Sequence, residues 1–259
     1  MSAEAENAWP EAAVDYVKAI ADTKLLLGQR YGEWMLKGPN LEDDISGASN
    51  AQDEIGQVRQ LFRLLTQQGV EDDWLESSRS AEEYANASIL DEEAENWPTF
   101  IVQVALADRA AWLLLDAIVH DDFTGMVQKM GEDEYFHLEH HDARLETLAE
   151  DQPEAVEAAL ERYFPGILAF IGPSSFGSSE DPLVSAGFTD RSVAEIRGAF
   201  HEHYEELFAG TDVSVPPLEE DVPDPEAWDE TRRRSGEGHV EPSVVEQLQG
   251  ISNQEYVIE

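Results

Sequence analysis

The stretch FIVQVALADRAAWLLLDAIV (residues 100–119) is long and apolar enough to span a membrane, yet Asp108, Arg109 and Asp116 interrupt it. Charged side chains are costly inside a bilayer. Asp108 also shares a helical face with isoleucine, valine, alanine, tryptophan and leucine side chains, so its carboxylate needs a partner or a proton there. The stretch therefore predicts a core helix, buried within a protein that does not enter the membrane.

Apolar side chains recur at helical spacing on both sides of this stretch. They predict long or medium helices over residues 11–37, 41–68, 98–119, 122–149, 153–170 and 191–209. Gly38-Pro39 ends the first of these, and Gly69 follows the second as a C-terminal stop. In the acidic connection 69–97 we expect one short helix around 79–88. Residues 172–182 are predicted to form a loop, and no stretch has the alternating pattern of a strand.

Four of these helices are long, which suits a four-helix bundle core. The fold class predicted is thus all-α, with additional C-terminal helices. Residues 213–230 are rich in proline and acid and predict an extended arm, followed by a short helix over 241–251. We divide the chain into a helical bundle, 1–212, and an acidic arm with a short helix, 213–259.

The charge of the chain is extreme. Against 56 Asp and Glu there are 16 Lys and Arg, a formal net charge of −40, while 42% of residues are apolar. This combination predicts a folded core with an acid-coated surface, adapted to a salt-rich cytoplasm such as that of a halophilic microbe. It argues against nucleic acid and anionic membranes as partners.

Two further features of the sequence bear on location and chemistry. The chain has no cysteine, which excludes disulfides, thiolate metal sites and a cysteine nucleophile. Its acidic N-terminus, MSAEAENAWPEAA, lacks the apolar segment of a signal peptide. We therefore expect a cytoplasmic protein.

Carboxylates and one histidine fall on apolar helix faces at positions typical of a metal site. In GEDEYFHLEHHD (131–142), Glu134 and His137 lie on the apolar stripe, and the E-x-x-H spacing places them one turn apart. Ferritin-like di-iron bundles use a carboxylate from each of two helices and Glu-x-x-His from each of the other two, and such ligands suit iron or manganese. The candidate metal ligands are Glu33, Glu54, Gln57, Asp108, Glu134 and His137.

Gln57 stands where that template requires histidine, so two interpretations remain open. One is a degenerate metal site. The other is a buried polar network that holds four helices in register. His141 on the same stripe is expected to be a satisfied core histidine.

Nearly the whole chain resembles the PaaC subunits of phenylacetyl-CoA epoxidases, which have a ferritin-like fold. The segments that carry the resemblance are LGQRYGEWMLKGPNLEDDISGASNAQDEIGQVRQLF (27–62), ALADRAAWLLLDAI (105–118), EYFHLEHH (134–141), RSVAEIRGAFHEHYEELF (191–208) and GHVEPSVVEQLQGI (238–251). The first of these is the most specific.

The resemblance implies a structural, non-catalytic subunit in a tight heterodimer with PaaA, a related subunit that holds the di-iron centre and the substrate. It implies an NADPH- and O2-dependent epoxidation in which a separate reductase delivers electrons. This chain would then bind no cofactor of its own, although the retained ligands leave residual iron binding open. The alternative is a catalytic di-iron oxygenase, or an iron-oxidising ferritin-like protein, that uses its own site. Gln57 favours the structural subunit.

Overall fold

The fold of this protein is a helical bundle, described here by a computed structural model over residues 8–177, 180–218 and 222–250. Its helices are α1 (Glu11–Trp34), α2 (Leu41–Gln67), α3 (Trp97–Asp116), α4 (Met126–Asp151), α5 (Pro153–Ile171), α6 (Pro182–Ser185), α7 (Val193–Leu207) and α8 (Pro242–Leu248). Strand β1 (Trp228–Asp229) pairs antiparallel with β2 (Arg234–Ser235). The predicted all-α, ferritin-like bundle is confirmed. The strands, two residues each, are too short to produce an alternating pattern.

Helices α1 to α4 enclose the interior in which the candidate ligands lie. The most extensive pairing is between α1 and α2, while α3 packs against α1, α4 and α5, and α4 also contacts α2. Helices α2 and α4 run in opposite directions. Asp43 near the start of α2 pairs with Arg144 near the end of α4, whereas Gln57 bonds to Glu134 further along. Side chains from four helices can therefore meet at one level of the bundle.

Helix α3 is the core helix that the opening stretch predicts. The side chain of Asn96 accepts a hydrogen bond from the amide of Thr99 and so caps the helix N-terminus. The helix is long and apolar enough to cross a membrane, but 78% of its most apolar window is buried within the fold. It ends at Asp116, three residues before the predicted end, and Ile118 then forms an isolated bridge with Thr189.

Two helix boundaries differ from prediction because the backbone turns left-handed. The helix predicted over 11–37 ends at Trp34, and Leu36 adopts a φ of 65°. The helix predicted over 122–149 begins as a single 3₁₀ turn. Gly125, with a φ of 78°, separates that turn from α4.

The prediction of one helix around 79–88 is wrong. The connection instead forms one π-helical turn and two 3₁₀ turns, at Trp74–Ser78, Ala81–Glu83 and Ser88–Leu90. The reason is a buried anchor on α1. Arg79 donates to both oxygens of Asp22, at 2.6 and 2.8 Å, and the amide of Ala85 donates to the same carboxylate at 2.9 Å. The Ala85 amide therefore bonds to Asp22 instead of to a carbonyl within a regular helix.

The C-terminal arm packs on the end of α5. Arg233 donates to the carbonyls of Phe170 and Ile171, and the Trp228 indole donates to the carbonyl of Ala169 at 2.8 Å. Carbonyl groups at a helix C-terminus have no partner within the helix, so these side chains satisfy them. The short C-terminal helix is present as α8, and the last residue of its predicted span, 251, lies outside the described residues. The division into two domains stays a prediction.

Candidate functional site

Four of the predicted ligands meet in the bundle interior and are called here the acid cluster: Glu54, Asp108, Glu134 and His137. Helix α2 supplies the first, α3 the second, and α4 the last two. One ligand-capable atom from each residue lies within 4.8 Å of the others. All four side chains are buried, because each lies on the apolar stripe of its helix.

Helix α1 places the ammonium group of Lys24 among these carboxylates. Its Nζ lies 2.8 Å from Glu134 Oε1, 3.3 Å from both oxygens of Glu54 and 3.5 Å from Asp108 Oδ1. The lysine side chain is fully buried. A buried cation of this kind requires negatively charged and hydrogen-bonding partners, and the three carboxyl groups of the acid cluster supply them.

Gln57 and His137 complete the contacts of the carboxyl groups in the acid cluster. The Gln57 amide donates to Glu134 Oε1 at 2.8 Å. His137 Nδ1 lies 3.5 Å from both Glu54 Oε1 and Asp108 Oδ2, and its Nε2 lies 3.3 Å from Asp53. Gln57 therefore acts as a neutral donor at the position where the metal template has a histidine.

Burial and neighbouring charge set the ionisation of the four side chains. Burial, reinforced by the negative charge of Asp108, raises the pKa of Glu134 to about 8. Burial disfavours the charged form of His137, but hydrogen bonding and the charges of Asp108 and Glu54 outweigh it and raise its pKa to about 11. The charges of Lys24 and His137 likewise outweigh burial and hold the pKa of Asp108 below its ordinary value.

The ionisation states that follow combine cations with carboxyl groups in the cluster. For Lys24, burial opposes the charged form, yet the carboxylates of Glu134, Glu54 and Asp108 together raise its pKa above the ordinary value. Lys24 and His137 are thus cationic at neutral pH, and Glu134 is largely protonated. Asp108 is ionised beside these two cations, whereas burial raises the pKa of Glu54 against the opposing charge of Lys24. The buried group therefore supplies counter-charge for its own cations.

His141 lies beside the acid cluster. Its Nε2 is 2.6 Å from the hydroxyl of Tyr31, and the two rings stack 6.1 Å apart. Burial lowers the pKa of His141 to about 3, so the ring is neutral, as expected of a core histidine with a hydrogen-bond partner. Its Nδ1 is 3.9 Å from Asp108 Oδ2, which is beyond hydrogen-bonding distance.

The structure does not bring Glu33 to the acid cluster. Its carboxylate accepts hydrogen bonds from Gln29 at 3.2 Å and from Arg30 at 2.7 Å, within α1 itself. Glu33 follows Lys24 by about two and a half helical turns, which places it well beyond the level of the cluster. The residue of α1 at that level is Lys24.

The donor set falls short of a two-metal centre. Such a centre takes a carboxylate from each of two helices and Glu-x-x-His from each of the other two. Here α1 contributes an ammonium group in place of a carboxylate, and α2 contributes Gln57 in place of histidine. The residues present do not complete the set for two metal ions.

Sequence reasoning missed Lys24, although a signal was present. The apolar stripe of the first helix includes Val17, Ile20, Leu27 and Tyr31, and its spacing leaves a gap that Lys24 fills. A lysine on the buried face of a helix needs carboxylate partners, and each of the next three long helices offers one on its own buried face.

Comparison with known proteins gives one family. The family model described as phenylacetic acid catabolic protein (PaaA_PaaC) matches residues 1–253. No curated protein matches the chain.

Proposed function

The chain belongs to the phenylacetic acid catabolic protein family, and from that membership we propose that it is the structural, non-catalytic subunit of a phenylacetyl-CoA epoxidase. In this role it supports a related, PaaA-like subunit that holds the di-iron centre. The assembled enzyme uses NADPH and O2, with electrons delivered by the reductase of the same system. The intact chain itself binds no cofactor.

The position of Lys24 is the observation that carries this proposal. An oxygen-activating di-iron centre needs room for two metal ions and an open position for oxygen, between ligands that are deprotonated. In this chain an ammonium group 2.8–3.5 Å from the three carboxylates takes that room. In addition, Gln57 stands at the position of the second histidine ligand, and its amide donates to Glu134 instead.

A partner subunit is supported by apolar side chains on the surface. Leu36 and Phe136 are 80% and 71% exposed, and Leu41, Ile45 and Tyr135 are also more than half exposed. On a chain with a net charge of −40, such side chains favour contact with another protein over nucleic acid or an anionic membrane. We place the complex in the cytoplasm.

One specific observation favours a second candidate, a catalytic di-iron oxygenase or an iron-oxidising protein. The acid cluster brings four ligand-capable side chains within 4.8 Å of one another, including an E-x-x-H pair on α4. On this interpretation Lys24 would have to leave the site when iron binds. The two candidates differ in the iron content of the isolated chain.

Two measurements test the proposed role. Iron is determined in the isolated full-length chain purified from iron-supplied cells, and we expect far less than one atom per chain. The chain is then co-expressed with a PaaA-like catalytic subunit of the same organism, and epoxidation is assayed for the complex. Complexes that carry Glu134→Gln, or Glu132→Gln at an exposed site two residues earlier, should both keep the parent turnover.

Opposite results would establish the second candidate. One is an isolated chain with about two iron atoms, as a di-iron bundle holds. The other is an assembled Glu134→Gln complex with the parent melting temperature but no epoxidation, while the Glu132→Gln complex remains active. Two separate species on a sizing column after co-expression would remove the proposed partner.

A further inference from the structure

The Lys24 ammonium lies at the point where the acid cluster converges. It has three N–H donors, whereas three carboxylates present six oxygen atoms around it. The distances of 2.8, 3.3 and 3.5 Å to Glu134, Glu54 and Asp108 show that only one of these contacts is a short hydrogen bond. The arrangement thus offers more acceptor atoms than its own cation satisfies.

Three buried atoms of the acid cluster make no well-formed hydrogen bond among the described residues: Asp108 Oδ2, Glu134 Oε2 and His137 Nδ1, of which the first and the last lie 3.5 Å apart. The side chains that carry them are at most 2% exposed. Buried polar atoms without a partner are uncommon in folded proteins and call for an explanation. Carboxylate oxygens and an imidazole nitrogen gathered within 4.8 Å are a donor set that a metal ion satisfies once the imidazole is deprotonated.

We propose that the acid cluster is a single-ion site for a divalent transition metal of the Mn²⁺ or Fe²⁺ type, and that the Lys24 side chain fills it from within. Mixed oxygen and imidazole ligands suit these ions. In the intact chain the tethered ammonium excludes the metal. Replacing Lys24 by a smaller residue exposes the site to metal. This inference concerns the cluster alone and does not depend on the subunit role.

The geometry sets what must move. Ligand atoms lie roughly 2.0–2.2 Å from a small divalent ion, so opposite ligands are up to about 4.4 Å apart. The candidate atoms of the acid cluster already lie within 4.8 Å of one another, which a small inward shift of the carboxylates corrects. Loss of the lysine stem also leaves space for water to complete the coordination. His137 must give up its proton to bind the metal.

The test compares Lys24→Ala with Lys24→Met and the parent chain. Methionine keeps most of the volume of the lysine stem but lacks the charge, so it is the matched control. Each protein is freed of metal, and Mn²⁺ is titrated in molar KCl while bound Mn²⁺ and the melting temperature are measured. We expect Lys24→Ala to bind one Mn²⁺ per chain, on the order of 100-fold more tightly than the parent, whose ammonium would repel the ion. Its melting temperature should rise with Mn²⁺ and fall again with EDTA.

A further variant ties the binding to the acid cluster. Adding His137→Gln to Lys24→Ala should weaken Mn²⁺ binding by roughly tenfold or more, because it removes the imidazole ligand. Lys24→Met should show neither tight binding nor a Mn²⁺-dependent rise in melting temperature. Equal Mn²⁺ binding by the parent, Lys24→Met and Lys24→Ala would place the metal elsewhere and overturn the proposal.

Folding of Lys24→Ala is addressed by a second variant. Lys24→Ala with Glu134→Gln removes the lysine together with the carboxyl group that lies nearest to its ammonium, at 2.8 Å, and retains Glu54, Asp108 and His137 as ligands. It should fold without metal and still bind one Mn²⁺. A folded variant that binds none would overturn the proposal, and so would failure of both variants to fold with Mn²⁺ present. Iron in the unaltered chain bears on the proposed function, whereas Mn²⁺ in these variants bears on the site.

Discussion

Glu134 is the carboxyl group of the acid cluster whose ionisation links the interior to pH. Its pKa in the folded chain is about 8, against an ordinary value of 4.5. Between these values the unfolded chain releases the proton and the folded chain retains it. The folded state then binds more protons, so stability falls as pH rises through this window and is fully present below it.

Glu134→Gln should therefore remove much of this loss. Glutamine keeps an oxygen that can accept from Lys24 and Gln57 but carries no charge. Relative to the parent, the variant should gain free energy of unfolding on the order of a few kcal/mol between about pH 5 and about pH 9. Denaturant melts at fixed salt across that range measure the difference. The pKa of His137 is raised to about 11, so its contribution to the free energy of unfolding also falls with rising pH, but this happens in both proteins.

Glu132→Gln is the control, because this residue lies on the same helix with its side chain 63% exposed and paired to Lys129. Its pH profile should match that of the parent. A Glu134→Gln profile parallel to the parent throughout would show that the buried carboxyl group is ionised in the folded state and that its proton is not linked to folding.

Residue spacing was sufficient to find all four residues of the acid cluster but not Lys24, and the reason is geometric. Glu54, Asp108, Glu134 and His137 each interrupt an apolar stripe, and a helix fixes which positions share a face. Spacing could not give the axial level of each helix relative to its neighbours. Glu33 therefore looked as suitable as Lys24, although only Lys24 lies level with the other three helices.

At the scale of the helices, α5 lies very close to a neighbouring turn at Gly166, which has no side chain. A Cβ added to Gly166 would lie 2.8 Å from Ile89 Cγ2 and 2.9 Å from Ser88 Oγ, both in the 3₁₀ turn Ser88–Leu90. That turn belongs to the connection held to α1 by Arg79 and Asp22. Since the connection is fixed from both sides, it has little freedom to retreat.

Gly166→Ala should thus destabilise the protein by about 1–3 kcal/mol, the usual cost of overpacking, despite the better helix propensity of alanine. The matched control is Gly198→Ala in α7, where an added Cβ meets nothing within 4 Å. That change should stabilise by roughly 0.5–1 kcal/mol. Urea melts of both variants provide the comparison. If Gly166→Ala were as stabilising as Gly198→Ala, the contact between α5 and the turn would be looser than described.

At the scale of the helices, the periodicity of apolar residues predicted the long helices but failed for the connection 69–97. A stripe of apolar residues over five or more turns is a strong signal, and α1 to α4 follow it. Between α2 and α3 the backbone is directed by single long-range contacts, such as Asp22 with Arg79, which have no periodic trace in the sequence. The short turns there could be recognised only once the partner on α1 was known.

For the whole molecule, the burial of charged side chains does not relieve the acidic excess of the surface. Six of the 16 basic residues are buried: Lys24, Arg30, Arg79, Arg197, Arg233 and Arg234. They bind carboxylates and backbone carbonyls inside the fold, as Arg30 does at the carbonyl of Leu90. Six acidic side chains of the described residues are buried as well, so burial leaves the excess of acids on the solvent-facing surface unchanged, and the folded state carries strong self-repulsion.

The protein should accordingly need salt. The melting temperature is expected to rise substantially between about 0.1 M and molar KCl, because the Debye length shortens from about 10 Å to about 3 Å. NaCl should act similarly, whereas an uncharged solute at equal osmolality should stabilise much less. A melting temperature unaffected by KCl would contradict the proposed adaptation to a salt-rich cytoplasm.

The burial of Lys24 also makes it a natural chemical probe. The chain has four lysines, and the side chains of Lys37 and Lys129 are 51% and 64% exposed, whereas that of Lys24 has no exposure at all. An amine-acylating reagent can reach Lys24 only while the bundle is open. The rate at which that residue is acylated, read by mass spectrometry against its exposed counterparts, therefore counts the openings of the molecule's interior.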